Sequence, residues 1–210
     1  MKRLTQRGWW FVLALCVAAP VFAQSGSAGK GTPDDLVKHA VESVVKAAKA
    51  DPVARTGDIA ATEKVVTREF LPYTDFQRTT RLAVGNAWKT ATPAQQKQLF
   101  EQFQTLLVHT YAAQLTQIRD QAVTFQFTPA VLDSKGQDAV VHTSVNSGGD
   151  DLQVGYRVEQ TADGWKIYDI DMMGAWLILV YQQQFAPQLA QGGVAGLIKY
   201  LSDHNARFAR

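Results

Sequence analysis

Asp169 and Asp171 are the one pair of side chains in this chain whose types and spacing suit acid–base or metal chemistry. Two residues apart on a strand, they point to one face, and like charges at close range raise the pKa of one partner. The competing reading is a pair of solvated aspartates at a strand end, and the pattern favours it. His39, His109, His142 and His204 are scattered, without the paired spacing of a metal site. There is no G-x-S-x-G elbow and no glycine loop to cradle phosphate. Gly192-Gly193 reads as a helix break. Cys16 is the only cysteine.

That cysteine falls in a segment with its own logic. Lys2, Arg3 and Arg7 are positive, Trp9 to Ala19 is apolar, and Val21-Phe22-Ala23 offers small residues to a signal peptidase. Residues 1–23 therefore read as a secretory signal, with a mature chain from Gln24 and a periplasmic or extracellular destination. Leu13-Ala14-Leu15-Cys16 has the outline of a lipoprotein box, but Leu15 stands where a small residue is needed. The signal carries three of the 21 basic residues and none of the 19 acidic ones, so the mature charge is −1 against +2 for the whole chain. No basic footprint for nucleic acid remains. Without cysteine, the mature chain has no disulfide, no thiol chemistry and no cysteine metal site, and its core must hold it.

Removing 23 residues from 210 leaves 187, enough for one domain with a sizeable core. Residues 24–33 read as a flexible linker, 34–203 as a single domain, and 204–210 as a polar tail. Helical spacing predicts helices over 34–50, 58–70 and 75–84. Thr92-Pro93-Ala94-Gln95 is a capping box. It opens a long helix with the stripe Leu99, Phe100, Phe103, Leu106, Leu107, Tyr111, Leu115 and Ile118. The period then changes to two. Val123 to Val131, Ala139 to Val145, Leu152 to Val158 and Trp165 to Met173 alternate as strands between turns, the last with apolar groups on both faces and room for a bulge. Helices follow over 176–189 and from Val194 to Leu201. The predicted fold is α+β: an antiparallel four-stranded meander sheet covered by a helical N-terminal half and C-terminal helices.

The apolar surplus is concentrated where sheet and helices meet. Phe125, Phe127, Tyr156 and Ile167 share the sheet's inward face, Phe103, Leu107 and Tyr111 face it from the long helix, and Ile170, Met172, Met173 and Trp176 lie at the sheet's end. An ordinary core accounts for this set. So does an apolar pocket, since Met172-Met173-Gly174 would form an adaptable lining.

Three stretches add to this. One contains Gly85-Asn86-Ala87-Trp88-Lys89, Thr92, Gln96, Phe100, Phe103, Leu107 and Tyr111. The second is Val154-Gly155-Tyr156-Arg157-Val158. The third is Gly164 to Ile170, followed by Tyr181, Phe185 and Gly196-Leu197-Ile198. In order and spacing they resemble the MlaC, or toluene-tolerance auxiliary, family of periplasmic phospholipid-binding proteins. Two positions depart from the family pattern. Gln182 stands where Arg is common, and Gly174-Ala175-Trp176-Leu177 where Gly-Val-Ser-Leu is usual.

The resemblance implies an apolar lipid pocket between sheet and helices, with the phospholipid as ligand and no cofactor, metal or catalytic residue. It implies a carrier that shuttles lipid between an outer-membrane lipoprotein–porin complex and an inner-membrane ABC transporter with an MCE-domain subunit, maintaining outer-membrane lipid asymmetry. The lipid-binding residues expected are Phe103, Leu107, Tyr111, Phe125, Phe127, Tyr156, Ile167, Ile170, Met172, Met173 and Trp176. Arg157, Lys166 and Arg119 can meet a headgroup phosphate or stay solvated, and solvation is favoured for Arg157. The alternatives are a holdase or carrier for another apolar ligand, and a pocket enzyme using Asp169 or Asp171.

Overall fold

The structure is a computed structural model that describes residues 31–117 and 121–208. The segment read as a secretory signal, most of the expected linker, and Arg119 lie outside the described residues. The first helix, α1 (Pro33–Ala50), begins inside the expected linker. The reason is a capping box: the Asp35 amide donates to Thr32 Oγ1 at 3.3 Å, and the Asp35 carboxylate accepts from the Thr32 amide at 3.1 Å. Two further aspartates act the same way. Asp58 accepts from the Ala61 amide at 2.7 Å to open α2 (Ile59–Glu69), and Asp75 accepts from the Arg78 amide at 2.8 Å to open α3 (Phe76–Val84). A one-turn helix, α4 (Ala87–Thr90), precedes the long α5 (Pro93–Gln117). The capping box of α5 forms as its sequence demands, with Thr92 and Gln95 exchanging bonds of 2.9 and 3.3 Å.

The sheet is antiparallel and has six strands, where the pattern predicts four. The expected first strand splits into β1 (Val123–Phe127) and β2 (Val131–Leu132), which pair with separate stretches of β3 (Asp138–Ser147). Pro129 lies between the two halves and has no amide to give the ladder. β4 (Asp150–Thr161) and β5 (Gly164–Met172) continue the meander. A two-residue strand, β6 (Ala175–Trp176), closes on β5. Arg157 pairs with Asp169 and Val158 with Ile167, so Tyr168 is an extra residue bulged out of β5. The bulge lets Ile167 and Ile170, three apart, both oppose inward residues of β4, and it is why this strand is apolar on two faces.

The last helix, α6 (Leu177–Asn205), is kinked at Gly193, whose φ of 58° lies outside the helical range, at the break read from Gly192-Gly193. It extends two residues into the expected polar tail, and beyond it Phe208 stacks on His109 with ring centroids 3.6 Å apart. Three apolar clusters result. One joins α3 and α5 to α6 around Phe103 and Phe185. A second lays α1 on the sheet around Val37, Val141 and Val158. A third joins α1, α2 and α5 around Val65 and Ala112. Among the described residues no helix is long and apolar enough to cross a membrane.

Candidate functional site: an apolar cavity between helices and sheet

The clusters leave a gap between them. It is a cavity of about 300 Å³ with walls from both layers, at the small end of the ~300–1,000 Å³ usual for ligand sites. The helical wall is built from Val41 and Val44 of α1, Val66 of α2, Phe76 of α3, and Leu107, Val108, Tyr111 and Leu115 of α5. The sheet wall is built from Phe125, Val145, Leu152, Tyr156, Ile167, Ile170 and Met172. Phe70, Leu71 and Leu177 complete it. Leu107 and Ile167 are almost fully buried, so these positions are fixed by packing.

Few polar groups reach the lining, and most are occupied. Thr74 Oγ1 donates to the Leu71 carbonyl at 2.8 Å. Thr79 Oγ1 donates to the Tyr168 carbonyl at 2.6 Å. Gln114 is exposed. Burial pushes the Tyr111 and Tyr156 phenols well above their ordinary value, so both remain protonated.

Asp169, also on the lining, is 1% exposed, not solvated as the strand-end reading expected. Its Oδ1 accepts from the amides of Ile178 and Ile170, both at 3.0 Å, and its Oδ2 accepts from Arg157 at 3.0 Å. Ile178 lies in the first turn of α6, and Trp176, the residue capping that helix, supplies no side-chain bond. Asp169 is therefore the N-terminal cap of α6, provided from a neighbouring strand, where a negative charge suits the helix dipole. Burial pushes its carboxyl above the ordinary value, against the pull of those three donors. Asp171 does not join it. It lies opposite Gly155, with one buried carboxylate oxygen lacking a partner among the described residues. Arg157 is also not free, since beyond Asp169 its guanidinium lies over the Trp176 ring at 3.8 Å. Lys166 donates to the Pro72 carbonyl at 2.6 Å. Among the described residues no group of His, Cys, Asp and Glu could hold a metal ion.

Such a cavity under a bulged antiparallel meander has a known setting. The family model for the MlaC protein matches residues 38–203. The chain belongs to the MlaC family. Among solved structures, the MlaC-family chain is similar to the phospholipid-binding protein from Ralstonia solanacearum, determined in complex with a phospholipid at 1.53 Å resolution. The two are 38% identical, with a TM-score of 0.79, over 86% of this chain and 100% of that one.

Within this MlaC fold, Leu107, Tyr111, Phe125, Tyr156, Ile167, Ile170 and Met172 lie on the cavity wall. Four residues expected with them lie elsewhere. Phe103 is buried against α6, its ring 4.8 Å from Tyr181 and 5.2 Å from Phe185, because α6 folds back over α5 at that level. Phe127 packs beside Phe125, with centroids 6.1 Å apart, but off the lining. Met173 is 81% exposed, since it and Gly174 form the β5–β6 turn with φ of 55° and 84°. Trp176 lies under Arg157. The contributions of α1 and α2 were missed. Their apolar stripes are plain in the sequence, but a stripe shows which face is buried and not which neighbour it meets.

Proposed function

We propose that this chain is a periplasmic phospholipid carrier and not an enzyme. It holds acyl chains in the cavity between the helical layer and the sheet, against Leu107, Tyr111, Phe125, Tyr156, Ile167, Ile170 and Met172. The observation that carries the reading is this apolar cavity in a chain 38% identical to a protein solved with a phospholipid bound. Physical chemistry supports it. Two acyl chains carry on the order of 30 methylenes, and keeping each from water is worth roughly 0.8 kcal/mol, about 24 kcal/mol in all. A carrier must supply nearly all of that, because the lipid leaves an equally apolar bilayer, and a much tighter site would not release it. Apolar walls with an adaptable Met172 at the sheet's end suit such a balance. The Asp169 carboxylate is engaged by the amides of Ile170 and Ile178 and by Arg157, so it is not a free base for the enzyme alternative.

In this reading the carrier works between an outer-membrane lipoprotein–porin complex and the MCE-domain subunit of an inner-membrane ABC transporter, and sustains outer-membrane lipid asymmetry. An exchanger so nearly balanced does not itself set the direction of transport. Native and denaturing mass spectrometry of mature protein from a periplasmic preparation tests the carrier reading. The expected result is a bound mass of one or two diacyl phospholipids. A folded apo mass that also extracts no lipid from labelled vesicles would overturn it.

A further inference from the structure

The cavity wall carries two hydroxyls that a purely hydrocarbon ligand would leave idle. Tyr111 reaches the cavity from the helical wall and Tyr156 from the sheet. Tyr156 is only 6% exposed, and among the described residues neither hydroxyl has a hydrogen-bond partner. Neither hydroxyl oxygen is sealed off from its surroundings, so each is open to a partner that enters the cavity, which phenylalanine in the same space would not be. The other polar groups of the wall differ. Thr74, Thr79 and Asp169 are bonded within the protein. Tyr168 sits under the Arg78 guanidinium at 3.7 Å. Gln114 also lines the cavity but is exposed to solvent. The two phenols are therefore the open polar positions on the less exposed part of the lining, one on each wall, and both are donors because they stay protonated.

The partner such donors suit is an acceptor that carries no proton, is embedded in an apolar body, and occurs twice. The carbonyl oxygens of the two acyl esters in a diacylglycerol-based lipid meet all three conditions. We propose that Tyr111 and Tyr156 form an ester-recognition site, donating to those carbonyls from opposite walls. The pair sets how deep the acyl chains enter and selects acyl esters over other amphiphiles of equal chain length. The inference rests on the carrier reading and deepens it.

The test compares a diester phospholipid with its dialkyl ether analogue of the same headgroup and chain length, titrated into delipidated protein. The wild type is expected to bind the diester roughly ten-fold more tightly, the worth of two neutral hydrogen bonds. Tyr111→Phe combined with Tyr156→Phe should lose the preference, so that its affinities for the diester and the ether lipid become equal. Equal affinity of the wild type for both lipids, which needs no variant to fold, would overturn the inference and leave the carrier reading standing. A preference that persists in the double variant would do the same. Failure of the folded wild type to bind either lipid would overturn both.

Discussion

Replacing Asp169 separates a structural role from a chemical one. The side chain is 1% exposed and accepts three hydrogen bonds, each at 3.0 Å, from the Ile178 amide in the first turn of α6, the adjacent Ile170 amide of β5, and Arg157. Asp169→Ala strands both amides and leaves Arg157 without its counter-charge. Hydrogen bonds to a charged acceptor contribute about 1.5–3 kcal/mol each. The ion pair adds less than a buried one would, because the Arg157 side chain is 39% exposed. The dipole and hydrogen-bond contributions are the same contacts counted two ways, so the expected loss is about 3–5 kcal/mol, in line with removing one partner of a buried pair. For a chain of this size that lowers Tm by roughly 10 °C. Asp169→Asn keeps the acceptor at Oδ1 for the two amides but puts an NH2 donor in place of Oδ2 opposite Arg157, so it loses the charge and the Arg157 bond and should cost about 1–3 kcal/mol. Guanidinium unfolding monitored by circular dichroism measures both, with an unchanged m value showing that stability alone has moved. An alanine variant within about 1 kcal/mol of wild type would refute the capping account. An asparagine variant as stable as wild type but unable to bind lipid would assign Asp169 to the ligand instead.

Met172→Glu places a charge on the half-buried cavity wall, and the protein should purify folded with lipid affinity lowered by at least ~100-fold, since an unpaired buried carboxylate costs several kcal/mol; retained phospholipid in the purified variant would count against this wall. Gly155→Ala acts on the opposite face, where an added Cβ would lie 3.2 Å from Asp171 Cβ and 3.3 Å from the Trp176 ring. Thermal melting should show a loss of about 1–3 kcal/mol with lipid binding intact. The Asp51 carboxyl is held below its ordinary 3.8 by the amides of Ala54 and Val53, and that of Asp133 by those of Asp138 and Gln137. A depressed carboxyl contributes stability above its unfolded value and loses it as pH falls through the lowered folded value. Tm should therefore fall with acidification below about pH 4, and Asp51→Asn with Asp133→Asn should make that slope shallower.

Much of the architecture was legible in local chemistry. The capping box at Thr92, the period-two runs and the Gly192-Gly193 break each formed where side-chain chemistry placed them. What escaped was set by partners distant in sequence. Tyr168 bulges because β4 and β5 must keep Val158 opposite Ile167 and Tyr156 opposite Ile170, and nothing local to Tyr168 signals that. The split of the first strand at Pro129 was readable in principle, since proline cannot donate to a ladder. Candidate wall residues on the clean alternation of the central strands and on the α5 stripe reached the cavity. Two of those that did not lie beyond the last residue of β5: Met173 sits at a turn tip, and Trp176 lies where a strand becomes a helix. Phe103 is on the expected helix, but a helical stripe wider than one neighbour was shared between cavity and α6. Asp169 looked like a solvated strand-end residue because the Ile178 amide that it caps belongs to a helix start that no spacing rule places beside it.

The central claim, that acyl chains lie between helices and sheet, is tested most directly by photocrosslinking. A phospholipid with a diazirine near the end of one acyl chain is loaded into the protein, irradiated, and the modified peptides are mapped by mass spectrometry. The account predicts labelling of cavity-wall residues such as Val44, Leu107, Ile167 and Ile170. Labelling confined to exposed apolar residues such as Val131, Leu132 and Leu179 would contradict it.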